Sequence, residues 1–246
     1  MAGSARVEQL TGAHVVREAL RARRRKLFRL RVAGRADPEI LAEAEAAGVP
    51  VESVPPHAIR EAGEGGNPQR VALEAGPLPE ARLEDLWSGA AGSRRIVVLD
   101  EVEDPHNFGA IARVADAAGA LGIVVGTRRS APLSPAASRA SAGALEWLPV
   151  VRVPNLPRSL KQLKEKGFWV VGADADGPES LFAMPDKLLS GDLVVALGAE
   201  GRGLRPGMLE LVDHRVRIPM LGRVASLNVS TAGAVVLFDL VRRSRA

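Results

Sequence analysis

Three short segments, far apart in the chain, carry the residue types that could do chemistry. The first is Asp104-Pro-His-Asn107-Phe-Gly109-Ala-Ile-Ala-Arg113, the second Gly198-Ala-Glu200-Gly201-Arg-Gly203, and the third Ile218-Pro-Met220 followed by Ser226-Leu227-Asn228-Val-Ser230. In the first, Asn107 stands where a helix N-cap is expected. Arg113 lies nearly opposite the face that Ile111, Val114, Ala115 and Ala118 would bury, beside Gly109, Ala112, Asp116 and Ala117. Small residues around one long cation admit close approach by a ligand or another chain. In the second, glycines let backbone wrap a ligand edge, and Glu200 is either a hydrogen-bond acceptor for that ligand or a turn carboxylate paired with Arg202 or Arg205. In the third, an apolar stretch with Pro219 suits the flat face of a base. Ser226 and Asn228 both stand at a helix start, where one N-cap is needed and where negative charge is favoured.

Each segment follows an apolar run that reads as a buried strand, Ile96–Leu99, Leu193–Leu197 and Val216–Ile218. Strands are predicted at 95–99, 121–126, 168–173, 193–198 and 214–218, with helices near 107–119, 155–166, 205–212 and 226–243. That alternation implies a parallel sheet with crossover helices, which delivers its loops to one edge. The last helix, with Val229, Ala232, Val235, Val236, Leu237, Phe238, Leu240 and Val241, is apolar on nearly every side, so it belongs in a core or against a second subunit. Before this region, strands at 27–32, 49–54 and 70–75 with helices at 15–20 and 38–47 imply a small α/β module. The expected domains are 1–76, a linker over 77–93 with one amphipathic piece at Leu83–Trp87, and 94–246. Gly63–Pro68 reads as a loop.

Composition bounds the function. There is no cysteine, so thiolate chemistry, disulfides and zinc–cysteine sites are excluded, and the four histidines are too scattered for a His-rich metal site. The acidic run Asp100, Glu101, Glu103 and Asp104 reads as turn and cap residues rather than a metal site. No run approaches a membrane span and the N-terminus lacks the apolar core of a secretory signal, so a soluble cytoplasmic protein is expected. The net charge is +4 and the isoelectric point about 10.1. Residues 1–35 hold ten Arg or Lys against two Glu, a concentration that favours RNA phosphates, the alternative being a solvated surface. A dinucleotide fold is disfavoured: Pro206 and Gly207 interrupt the helix that should follow Gly201-Arg-Gly203, and no acidic residue follows at ribose distance.

With these motifs, residues 94–246 resemble the SPOUT superfamily, in the branch of RNA 2′-O-ribose methyltransferases, whose signatures are N-x-G-x-x-x-R, G-x-E-G-x-G and I-P-M…S-L-N-V-S. Residues 7–75 resemble the ribosomal-protein-like RNA-binding module that precedes the catalytic domain in bacterial large-subunit rRNA guanosine-2′-O-methyltransferases. Pro68-Gln69-Arg70 departs from that subgroup's His-Gln-Gly. The resemblance implies an α/β fold with a C-terminal trefoil knot, and S-adenosylmethionine bound at Gly198, Ile218 and Leu227. It implies a catalytic set of Asn107, Arg113, Glu200, Ser226 and Asn228, a homodimer with sites at the subunit interface, no metal, and an RNA partner. Other substrates consistent with the motifs are a transfer RNA or an antibiotic-resistance rRNA site. A non-catalytic RNA-binding or ribosome-assembly protein on the same scaffold is the rival of another class; it would not need Arg113, Glu200 and Asn228 together.

Overall fold

The computed structural model describes residues 7–61, 70–88 and 93–244. The chain divides into two compact units, 1–79 with 132–147, and 80–131 with 148–246. The loop expected at Gly63–Pro68, the Pro68-Gln69 pair and the Gly89–Gly92 stretch lie outside the described residues.

In the first unit, β1 (Glu8–Thr11), α1 (Ala13–Ala22), β2 (Leu27–Val32), α2 (Pro38–Ala46), β3 (Val51–Ser53), α3 (Pro56–Glu61) and β4 (Val71–Ala75) follow in order. The four strands form one sheet in the order β1-β4-β2-β3. β4 runs antiparallel to both β1 and β2, and β3 runs parallel to β2. Leu10, Leu30 and Leu73 from the sheet pack with Val16, Leu20 and Ile40 from the helices. β1 and α3 were not predicted, because four and six residues are too few to show a period.

The second unit contributes β5 (Arg95–Asp100), α4 (Pro105–Ala117) and β6 (Gly122–Gly126). The chain then enters the first unit as α5 (Pro135–Ala140) and a 3-10 turn at Ala144–Glu146. It returns through β7 (Val150–Val153), α6 (Leu156–Glu165), β8 (Trp169–Ala173), β9 (Glu179–Ser180), β10 (Leu193–Gly198), α7 (Pro206–Leu209), β11 (His214–Arg217) and α8 (Val229–Arg243). The seven strands make one sheet in the order β7-β6-β5-β10-β8-β11-β9, and every pairing is parallel. Its central strands are apolar on both faces, as a sheet covered by helices on both sides requires. The sheet order reverses between β5 and β10, so the chain leaves these neighbouring strands in opposite directions and opens a crevice at their C-terminal ends.

Two expectations need correction. Residues 132–147 were expected within the second domain, yet they pack with the first, because Glu146 supplies a buried charge that the first unit requires. Arg25, with its side chain fully buried, donates from Nε and Nη2 to Glu146 Oε2 and Oε1 at 3.0 and 2.9 Å, and from Nη1 to Glu8 Oε2 at 2.9 Å and to Gly76 O at 3.1 Å. Burial pushes the Glu146 carboxyl up from the usual carboxylate range and the Arg25 guanidinium pulls it back. The linker expected over 77–93 is partly core, since Leu83 and Leu86 of a 3-10 turn pack into the second unit. The last helix is covered by its own chain on one side, with Val236, Leu237 and Leu240 buried, and leaves the apolar Phe238 48% exposed on another.

The basic N-terminal stretch is also less free than its composition suggested. Arg17 pairs with Glu39, Arg21 with Glu39 and Glu43, and Arg29 and Arg31 with Glu74. Arg23, Lys26 and Arg35 are exposed and form no ion pair among the described residues.

Replacing Arg25 by Ala is expected to strand two buried carboxylates and destabilise the first unit by about 3–5 kcal/mol. Arg23→Ala, at an exposed site, is expected to stay within about 0.5 kcal/mol of the parent. Urea unfolding of both variants, followed by circular dichroism, measures the difference.

Candidate active site

The site is assembled at the C-terminal ends of β5, β10, β8 and β11. The end of β5 carries Asp100, fully buried, which binds the chain just beyond β10. Arg205 donates its backbone N–H to Asp100 Oδ2 at 2.9 Å, and its Nε and Nη2 to Oδ1 at 2.8 and 2.6 Å. The hydrogen bonds to Asp100 push the Arg205 guanidinium above its ordinary value.

Four residues on, α4 begins with Asp104 as its N-cap, accepting from the N–H groups of His106 and Asn107, with Pro105 at the first helical position. This overturns the N-cap reading of Asn107. An Asp-Pro pair supplies both the cap and the fixed φ of a helix start, a signal present in the sequence. Relieved of capping, the Asn107 side chain reaches across to the other two motifs.

The loop after β10 folds back on itself, with Gly203 N–H bonding Ala199 O at 2.9 Å. Gly203 carbonyl carbon lies 2.0 Å from where a Cβ on Gly198 would sit, so no side chain fits at 198. Gly201 and Gly203 hold φ of +73° and +65°, the left-handed region that glycine enters freely. The tip of this turn presents Glu200. Its Oε1 accepts from Asn107 Nδ2 at 3.2 Å and from Asn228 Nδ2. Asn228 Nδ2 also donates to Asn107 Oδ1 at 2.9 Å. Glu200 therefore pairs with neither Arg202 nor Arg205, the alternative its neighbours offered.

Asn228 does two jobs. It is the N-cap of α8, its Oδ1 accepting from Ser230 N–H at 2.8 Å and Ser230 Oγ at 2.6 Å, while its Nδ2 closes the triangle with Asn107 and Glu200. Ser226 does not cap the helix. The three motifs thus meet through Asn107, Glu200 and Asn228.

Beside this triangle lies a cleft of about 390 Å³, within the roughly 300–1,000 Å³ usual for small-molecule sites. It is lined by Gly198, Glu200, Ile218, Ser226 and Leu227, all singled out in the sequence, and by Met220. A further wall, Ala173–Asp176 at the end of β8, was missed. The signal available was position alone, since the end of a strand next to β10 is where such a wall must come. Arg113 does not line the cleft and has no partner among the described residues. It sits on α4 about 9 Å along the axis and about 120° round from Asn107. Gly109 and Ala112, expected beside Arg113, are buried, because α4 packs against α8. No group of carboxylates and histidines suited to a metal ion occurs among the described residues. No helix among them is long and apolar enough to cross a membrane.

An all-parallel sheet with Gly-, Glu- and Asn-bearing loops gathered at one edge, joined to a small α/β module, has the architecture of the SPOUT methyltransferases. The chain belongs to the SpoU rRNA Methylase family, whose model matches residues 94–238. Residues 9–81 match the model described as RNA 2′-O ribose methyltransferase substrate binding. The chain is 35% identical to the putative TrmH family tRNA/rRNA methyltransferase YacO of Bacillus subtilis, over 96% of both chains. It is 38% identical to the 23S rRNA (guanosine-2′-O-)-methyltransferase RlmB of Pseudomonas aeruginosa, again over 96% of both. The AdoMet-bound rRNA methyltransferase of Sinorhizobium meliloti superposes with a TM-score of 0.79 at 29% identity, covering 96% of this chain and 87% of that one.

The double role of Asn228 is separable. Asn228→Ser retains a capping oxygen and is expected to cost a few tenths of a kcal/mol, whereas Asn228→Ala should cost about 1 kcal/mol. Both lose the bridge to Glu200 and Asn107. Thermal unfolding distinguishes the two variants.

Proposed function

We propose that this protein transfers a methyl group from S-adenosylmethionine to the ribose 2′-hydroxyl of a guanosine in 23S rRNA, in the cytoplasm. The observation that carries the proposal is the closed Asn107–Glu200–Asn228 network at the mouth of a cleft walled by Gly198. A cleft with a glycine-walled turn on one side and Ile218 and Met220 on another fits an adenosyl group: the glycines admit an edge, and the apolar residues cover a flat face. Gly198, Ile218 and Leu227 are assigned to hold it.

When bound, the donor supplies a methyl group already activated by its sulfonium, so what falls to the protein is alignment and management of the hydroxyl proton. Glu200 is held by two amides at Oε1, which leaves Oε2 as an oriented acceptor for hydroxyl or ammonium hydrogens at the cleft. Ser226, exposed on the cleft wall, is assigned to position the ligands. Arg113 is assigned to grip the target phosphate and to stabilise the developing alkoxide. A guanidinium delocalises its charge and is a poor proton acceptor, so the role is electrostatic rather than that of a base.

Because Arg113 stands apart from the triangle on its own α4, the proposal includes a homodimer in which Arg113 of one subunit serves the site of the other. The exposed Phe238 on α8 supports this. The trefoil knot expected from the family signatures belongs to the same proposal. A transfer RNA is the second substrate reading, favoured by the tRNA/rRNA designation of the Bacillus subtilis relative.

Calorimetry in EDTA is expected to show one donor site per chain; absence of heat at millimolar donor would remove the proposal. Arg113→Ala is expected to leave donor affinity intact and slow single-turnover methylation of 23S rRNA by about a hundredfold or more. Arg113→Lys should recover little, since an ammonium lacks the bidentate fork. A rate within about threefold of the parent would take Arg113 out of the mechanism.

A further inference from the structure

The chain has five Phe, three Trp and no Tyr, and its first unit holds two aromatic residues, Phe28 and Trp147. Trp147 is 47% exposed, an unusual placement for so large an apolar ring. Its orientation is fixed from three directions. The ring Nε1–H donates to Glu18 Oε2 at 3.0 Å. The preceding residue, Glu146, is anchored by Arg25 inside the unit. The backbone enters through a 3-10 turn whose Gly143 packs so closely on Glu18 that a Cβ there would lie 2.7 Å from Glu18 Cβ.

The surroundings are cationic. Arg24 Nη1 donates to Glu146 O at 3.4 Å, which brings Arg24, flanked in the chain by Arg23, to the residue next to Trp147. Among the described residues, Arg23, Arg24 and Lys26 make no ion pair, while Glu18, which accepts from the indole, is paired with Arg17 and Arg21 at 3.6 and 3.3 Å, two arginines it shares with Glu39 and Glu43. A rigid, half-exposed aromatic face beside unpaired cations is the arrangement that stacks a splayed-out base while its phosphates are held.

We propose that Trp147 is a stacking platform for one unpaired base of the RNA, with Arg23, Arg24 and Lys26 holding the flanking phosphates. The proposal rests on the RNA-methylating reading above and deepens it: the first unit selects RNA with an unstacked base, rather than duplex. A base, not a polypeptide, is the favoured occupant, because Arg23, Arg24 and Lys26 form no ion pair among the described residues and so complement a polyanion.

The test measures binding of the full-length protein to a labelled stem–loop RNA and to its fully paired counterpart by fluorescence anisotropy. Trp147→Ala is expected to weaken stem–loop binding about tenfold and to leave duplex binding unchanged. Trp147→Phe keeps a stacking face but lacks the N–H to Glu18, and should stay within about threefold of the parent. Circular dichroism verifies that both variants fold. Equal binding of the stem–loop by parent and Trp147→Ala would overturn the proposal and assign the ring to a protein contact. Equal weakening toward both RNAs would overturn it too, as would a Phe variant as weak as the Ala one. Donor binding, measured in parallel by calorimetry, separates the two readings: a parent that prefers the stem–loop but binds no donor would defeat the methyltransferase proposal and leave this one standing.

Discussion

The buried carboxylate of Asp100 is the constraint on which the rest of the second unit's site depends. It ends β5, lies wholly out of water, and is satisfied by one residue, Arg205, through a backbone N–H and two guanidinium nitrogens. A buried carboxylate left without that partner would be strongly destabilising, so the chain beyond β10 is compelled to return over the end of β5. Everything between Gly198 and Arg205 must then be made in a tight turn. That requirement explains the bare Gly198, the left-handed Gly201 and Gly203, and the outward placement of Glu200 at the tip.

The same geometry explains why three polar side chains can form a closed set at a surface where such sets are ordinarily weak. Each corner is tied to secondary structure by a different bond: Asn107 to α4 capped by Asp104, Glu200 to the turn, Asn228 to the first turn of α8. None of the three must be ordered by the contacts it makes with the other two. The entropic cost of alignment is met by helix caps and strand ends, leaving the triangle in place before a ligand arrives.

Much of this was legible in the sequence. The eight predicted strands appear within two residues of their expected ends, because buried parallel strands such as Leu193–Leu197 are continuous apolar runs with Gly, Pro or Asn behind them. Gly198 and Ile218 lie at or next to those ends, Ser226 and Leu227 came from the motif resemblance, and Asn107, Glu200 and Asn228 do meet. What stayed hidden depends on distance in three dimensions. The N-cap is the exception: Asp104 and Asn107 are both good caps, and Pro105 was the sequence signal that favours Asp104. Arg25 reads as one more surface cation until Glu146, distant in sequence, is seen to bury it. The wall at Ala173–Asp176 has no motif, only a place beside β10. Arg17, Arg21, Arg29 and Arg31 looked available for phosphates because their carboxylate partners lie on other elements.

The link between Arg25 and Glu146 spans 121 residues of chain, and it bears on how the protein is made. At about 5–20 residues per second, the ribosome needs roughly 6–24 seconds to reach Glu146 after Arg25 has been joined. During that interval the nascent N-terminal segment carries an arginine destined for the interior together with only Glu8 to balance it. Its last partner arrives after β5, α4 and β6 have already been synthesised. The first unit therefore cannot be completed before the opening elements of the second have been synthesised, and a gene cut at the apparent junction near residue 79 would encode a fragment whose Arg25 keeps Glu8 and Gly76 but lacks both bonds to Glu146.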